Sequence, residues 1–417
     1  MPNFGFVLKK ARLILLGVVL ATGAVRAEEA VHHRFNEAPH NYYSREPRDA
    51  FSRFLTRLGS GEVQLDAGSD KAQLVSLLAA LDVPVSSQLL VYSATSFQGG
   101  LIRPENPRAL YFNDEVYVGY VPGGRFEVAA IDPDLGPVFR IFRPVQNGRP
   151  EITRSERCMN CHAGRTSHQV PGLVAESVIC TGTGATLDGF RREQVGHTIP
   201  LNLRLGGWHV TGAHEHGDHL GNLMGEAAPG GYRRLPDAPG SLFNWANYPV
   251  HTSDLLPHLL HEHQLGFHNL VTLGVYRTRD ALDAGHGAIR TEDRSTLEDL
   301  ARQLTRYLLF AGEAALPTGG VQPDADYLRD FLARRIATAS GASLRDLDLH
   351  THLLRYRCSY MIHTASFTAL PAEFKTLVLA DLSAALREEN GAPDFAYIPT
   401  AEKRAIRTIL RETKVLP

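Results

Sequence analysis

The chain has 417 residues, and its 43 basic and 45 acidic side chains nearly cancel. That balance gives no basis for a nucleic-acid or anionic-membrane partner. A hydrophobic content of 43% with 21% charged residues is that of an ordinary globular core, with no low-complexity tract and no internal repeat. The sequence carries no nucleophile elbow, phosphate-binding glycine loop or dinucleotide fingerprint, so hydrolase and nicotinamide-dependent chemistry have no support.

The first 27 residues open with Lys9, Lys10 and Arg12, continue through an apolar stretch from Leu13 to Leu20, and end on Val25-Arg26-Ala27 before Glu28. This is the layout of a cleaved secretory signal. It predicts a periplasmic mature chain of about 390 residues, a length that suits two domains or one elaborate one. No later segment reaches the roughly 20 apolar residues of a spanning helix.

Phe51, Phe54, Leu55 and Leu58 recur at helical spacing and stop at Gly59; Leu74, Leu77, Leu78 and Leu81 repeat the pattern and stop before Pro84. From residue 89 the pattern changes to β-branched and aromatic runs, at 89–95, 109–112, 116–121, 126–131 and 138–142. These are separated by Asn113-Asp114, Pro122-Gly123-Gly124 and Asp132-Pro133-Asp134-Leu135-Gly136. Such turn chemistry between short apolar runs predicts an antiparallel meander. Within its last strand, Phe139 and Ile141 alternate with Arg140 and Arg143, as expected of a sheet buried on one face and solvated on the other.

Two of the four cysteines stand in Cys158-Met159-Asn160-Cys161-His162. Two thiols at this spacing can each add across a vinyl group of haem, and the histidine that follows is then held under the iron. The expectation is one covalent haem c, bound through Cys158 and Cys161 with His162 as proximal ligand. A thioredoxin-like dithiol would open a long helix, whereas the chain here runs on to Val170-Pro171-Gly172, a loop signal. A structural zinc site would need a second ligand pair at matching spacing, which Cys180 and Cys358 do not supply; whether those two pair with each other stays open.

Residues 163–250 are rich in Gly and Pro and read as a long loop region around the haem. Beyond 253 the pattern is helical, over 253–283, 291–314, 324–339, 371–387 and 400–412. The fold expectation is α+β: an antiparallel sheet with flanking helices over 28–150, a haem-attachment and histidine-rich loop region over 151–250, and a mostly helical C-terminal region over 251–417.

Candidates for a sixth iron ligand come from two histidine-rich segments. In the first C-terminal helix His263 falls on the apolar stripe of Leu256, Leu259, Leu260, Phe267, Leu270, Val271 and Gly274, while His258, His261 and His268 fall toward a more polar flank. The stripe makes His263 the first candidate and leaves the other three to solvent or to supporting roles. The segment Trp208 to His219 holds four histidines with Glu215 and Asp218, which could ligate the haem iron, a second metal such as copper or zinc, or nothing. From it His219 and His214 are the next candidates, with Met224 and Met361 as thioether alternatives.

Taken together, Ser86-Ser87-Gln88, Pro107-Arg108-Ala109-Leu110-Tyr111-Phe112-Asn113-Asp114, the pentapeptide at 158–162, Gly206-Gly207-Trp208 with Val210-Thr211-Gly212, His219 with Gly221-Asn222, Glu262-His263-Gln264 with His268-Asn269, and Arg355-Tyr356 with Cys358-Ser359-Tyr360 resemble a group of large exported single-haem c-type cytochromes of environmental bacteria. The resemblance covers nearly the whole mature chain. It implies haem c and export, with His214, His219, His263 and His268 at matching positions, and assigns no reaction. Two departures stand out: Arg204-Leu205 where the group would have Arg-Trp, and the histidine-rich insertion around Glu215-His216. A looser similarity of order alone, sheet before attachment motif, links the chain to hydroxylamine-oxidising cytochromes. The dihaem peroxidases are less similar, because a second attachment motif is missing.

Three functions follow. The first is an electron-transfer cytochrome with a six-coordinate iron and a redox partner protein. The second is a haem oxidoreductase with an open distal site for a peroxide or a small nitrogen compound, and the third a haem-based ligand sensor.

Overall fold

The computed structural model describes residues 34–144, 150–190, 196–236, 238–388 and 393–417. The export signal read at 1–27 lies outside these residues.

Two short helices come first. Helix α1 (Ala50–Ser60) starts at Asp49, whose Oδ1 accepts the Ser52 N–H at 2.9 Å, and ends at Gly61, where φ is 78°. Helix α2 (Asp70–Ala80) is capped by Ser69 and buries Leu74, Leu77 and Leu78. The meander then forms β1 (Leu89–Val91), β2 (Arg108–Phe112), β3 (Val116–Tyr120), β4 (Phe126–Asp132), β5 (Gly136–Phe142) and β6 (Thr153–Arg154). Together with β9 (Trp208–His209) these make a seven-stranded sheet in the order β6-β5-β4-β3-β2-β1-β9, antiparallel throughout. The turns work as the sequence suggests. Asn113 Oδ1 accepts the N–H groups of Glu115 and Val116, and Asp132 Oδ1 those of Asp134 and Leu135.

Both faces of this sheet are covered, which corrects the expectation of a solvated face. Leu90, Ala109, Tyr111, Val118, Phe126 and Val128 pack with Phe51, Phe54 and the α2 leucines. On the other face Val91, Leu110, Tyr117, Ala129 and Phe139 join the helical core. Arg140 is only 4% exposed: its guanidinium points at α1 and grips the Asp49 carboxylate through two bonds, of 3.2 and 2.7 Å. A charge in a strand was read as a solvent signal, but a bidentate partner on the covering helix removes the need for water.

The region 163–250 is not all loop. It contains a second, four-stranded sheet made of β7 (Val178–Cys180), β8 (Thr186–Gly189), β10 (Leu223–Ala228) and β11 (Gly231–Pro236), in the order β11-β10-β7-β8, with β10 parallel to β7. Its strands are short, and most of β8, β10 and β11 faces solvent, so no apolar alternation marks them.

The C-terminal half is helical, as expected: α4 (Leu255–Ala284), α5 (Thr291–Leu308), α6 (Ala325–Leu332), the short α7 (Ala365–Thr368), α8 (Ala372–Ala385) and α9 (Thr400–Glu412). Helix α5 ends before Ala314 because Phe310 and Gly312 adopt positive φ, and α6 ends at Leu332 with Ile336 turned to solvent. Helix α4 packs on β5 on one side and on α5 and α8 on others. Among the described residues no helix is long and apolar enough to cross a membrane.

Candidate functional site around Cys158, Cys161 and His162

Cys158 precedes a single helical turn, α3 (Met159–His162), pinned by the buried side chain of Met159. The turn brings Cys158 and Cys161, three residues apart, to one side. Both are free thiols, Cys158 half-buried and Cys161 exposed, and burial raises the Cys158 thiol above its ordinary value.

His162 is oriented by backbone. Its Nδ1 donates to Gly172 O at 2.9 Å, and Gly172 N–H returns a bond of 2.7 Å to His162 O. Burial pushes the imidazole pKa down to about 4, so the ring is neutral at pH 7 with its proton on Nδ1 and its lone pair on Nε2. That is the tautomer a metal-bound histidine needs, with the second nitrogen donating to a carbonyl. The carbonyl is itself fixed: Asn269 of α4, fully buried, accepts from Leu173 N–H at 2.7 Å and donates to Leu173 O at 2.9 Å. Position 172 must be glycine, since a Cβ there would lie 2.4 Å from Ser167 Cβ and 2.8 Å from Asn269 Oδ1.

Against this turn opens a cavity of about 400 Å³. Its floor is the inner sheet face, with Val91, Leu110, Tyr117, Ala129 and Phe139; its rim is the loop from Ser93 to Phe97; and its far wall carries Trp208, His261 and Leu265. The size and the mostly apolar lining suit a cofactor. Phe139 lies 4.3 Å from His162, ring to ring. One ion pair sits in the cavity. Arg108 reaches across β3 to Glu127 at 2.7 Å, passing over Gly119, where a Cβ would meet its guanidinium at 2.5 Å.

His162 and His261 are the two histidines that line this cavity among the described residues. His261 is enclosed by Phe112, Tyr117 and Trp208, with ring centroids at 5.2, 5.7 and 6.3 Å. The apolar-stripe argument pointed elsewhere. His263 faces away, into the helical core, where Nδ1 meets His197 Nδ1 at 2.9 Å, Nε2 meets Ser359 Oγ at 2.7 Å, and Tyr307 and Phe310 stack on the ring. Nor do the histidines of the loop segment line the cavity. His219 uses both nitrogens locally, on His214 O and on Gly221 N–H, and His214 Nε2 accepts from Gln322 N–H. His258 and His268, expected near solvent or in supporting roles, are buried and donate to His209 O and Asp114 O. Met224 belongs to β10 and Met361 to the helical core, and neither lines the cavity. Cys180 and Cys358 are buried, and no disulfide joins them. As to a second metal, the described residues contain no group of three or more His, Cys, Asp or Glu side chains placed to hold one.

The helical wheel missed His261 because it assumed a solvated flank, whereas α4 is enclosed on all sides over most of its length. Its usable signal was the spacing His261–Leu265–Asn269, one residue per turn on one side of a helix. The residues around the motif fit haem c: two free thiols beside a cofactor-sized cavity, and a neutral imidazole whose Nδ1 proton is already committed. The fold and site thus define an α+β protein with a cavity built against a Cys-X-X-Cys-His turn. In comparisons with known proteins, no family model, no curated protein and no solved structure matches the chain.

Proposed function

We propose that this cavity houses one haem c, attached to Cys158 and Cys161, and that the protein is an exported electron-transfer cytochrome. The observation that carries the reading is the committed Nδ1–H···O bond from His162 to Gly172, at the mouth of a cavity of about 400 Å³. In this reading His162 would hold the iron through Nε2, and His261 on the far wall would be its second protein ligand. The bound group would contribute a reversible Fe(II)/Fe(III) couple. The sheet floor, Leu265 and Trp208 would keep water from it, which would favour its less charged state. Export follows from the signal read at 1–27, and a redox partner protein would exchange the electron.

The Arg108–Glu127 pair inside the cavity favours a second reading, a haem oxidoreductase with an open distal side. Spectra separate the two. Purified from a host with haem-attachment machinery, the protein should gain the mass of one haem that survives acidified-acetone extraction. Cys158→Ala with Cys161→Ala should abolish that gain, and haem retained by the double variant sinks the attachment claim. A low-spin ferric signal and a ferrous form indifferent to carbon monoxide support the carrier; a high-spin signal with carbon monoxide binding supports the oxidoreductase.

A further inference from the structure

Resting on that reading, we propose that Tyr117 and Gln264 are positioning residues that lock the His261 ring in the far wall and keep that side of the cavity closed to small ligands.

Tyr117 stands on β3 with its ring edge-on to His261 at 70°. Its hydroxyl donates to Gln264 Oε1 at 3.0 Å in a fully buried pair. Gln264 follows His261 by three residues on α4, about one turn, so the two side chains share a side of the helix. The amide has one orientation that satisfies its neighbours. Gln264 Nε2 donates to Tyr360 Oη at 3.0 Å and lies 3.4 Å from Asp114 Oδ1, and Asp114 is held by Arg345. With the nitrogen so engaged, the oxygen must face Tyr117, and Tyr117 must donate. Burial holds the Tyr117 phenol neutral by raising its pKa far above the ordinary tyrosine value. A strand and a helix are thereby stapled together one turn from His261. For the imidazole to swing out of the wall, Tyr117 would have to move and break a buried bond, leaving the Gln264 oxygen without its donor.

The test uses the haem-loaded protein and carbon monoxide as probe. Tyr117→Phe keeps the ring and removes the bond; Gln264→Leu keeps the volume and removes the amide. Each should raise ferrous carbon monoxide affinity about tenfold, the ratio one buried hydrogen bond supports, and should shift the low-spin ferric resonance. The double variant should be no worse than Gln264→Leu alone, because loss of the amide already removes the Tyr117 bond. A matched control lies one strand away: Tyr111 donates to Gln88 Oε1 at 2.7 Å on the opposite face of the sheet, so Tyr111→Phe should destabilise comparably and leave affinity and resonance unchanged. Unchanged spectra and affinity in Tyr117→Phe and Gln264→Leu, with His261→Ala altered, overturn this inference and leave the haem reading standing. If His261→Ala is itself silent in a haem-loaded protein, the assignment of the sixth ligand falls and the inference falls with it. Absence of covalent haem from the wild-type chain removes the underlying reading instead.

Discussion

Asn269→Leu is the perturbation that reaches furthest into the site without touching a cysteine or histidine. The side chain makes two bonds, to the N–H and the C=O of Leu173, and leucine of similar volume replaces neither. Both backbone groups are buried, so the loss is larger than two average hydrogen bonds of about 1 kcal/mol each; each group left without a partner costs roughly 1–3 kcal/mol. Some relaxation is open to Leu173, but little to its neighbour, because Gly172 is tied to His162 at both N–H and C=O. The expected loss is therefore about 3 kcal/mol, read as a lower midpoint in urea unfolding at unchanged slope. Freed from Asn269, the carbonyl that accepts the His162 proton should drift, so the ferric spectrum of the loaded protein should broaden or gain a high-spin component. Asn269→Asp keeps the acceptor for Leu173 N–H but opposes a carboxylate oxygen to Leu173 O, and should recover as pH falls and the acid becomes a donor. A loss under about 1 kcal/mol together with an unaltered ferric spectrum would show that the loop holds His162 without help from α4.

Three further outcomes are expected. Asp49→Ala removes the cap of α1 and strands the Arg140 guanidinium in a buried site, so it should cost about 4 kcal/mol, and Asp49→Ala with Arg140→Met should recover a large part of this; a single-variant loss under 1 kcal/mol in urea unfolding contradicts the buried pair. Burial pushes His258 and His268 to about 4 and His209 to about 3, below the unfolded value, so the unfolded chain binds protons the folded one refuses and stability must fall as pH drops from about 6.5 toward 4. Each histidine contributes a slope of up to about 1.4 kcal/mol per pH unit in that window, and His209→Phe should flatten the measured dependence by that amount; an unchanged slope refutes it. Gly119→Val should drive the Arg108 guanidinium off β3 and uncouple it from Glu127, which the reduction potential of the loaded protein should register against Gly100→Ala, a control at an exposed glycine with open space around it.

Strands and long helices were legible in the sequence because their periodicity is local. The runs at 109–112, 116–121 and 126–131 lie within a residue of β2, β3 and β4, and the last helix coincides with Thr400–Glu412. The Cys158–His162 turn was legible because two thiols and an imidazole at that spacing form a recognisable motif. What was not legible depends on partners far away in the chain. Arg140 looks solvated until Asp49 is placed against it, and His261 looks solvated until Phe112, Tyr117 and Trp208 close around it. The hairpin of β10 and β11 did have a local signal, Pro229-Gly230 between two six-residue strands, but its side chains are too polar and exposed to show a buried face.

Helix α4 lines the cavity with His261 and Leu265, and it anchors both cavity histidines, carrying His261 itself and holding through Asn269 the peptide whose carbonyl stands behind His162. Those anchor points are eight residues apart, about 12 Å along a hydrogen-bonded rod that resists stretching. Both histidines therefore take their bearings from one stiff reference instead of from two elements that could slide past each other. Sliding between sheet and helices would carry both anchor points together. The gap between the two imidazoles is thereby insulated from strain in the rest of the fold, the property a site needs if a gain or loss of charge at its centre is to proceed with little rearrangement around it.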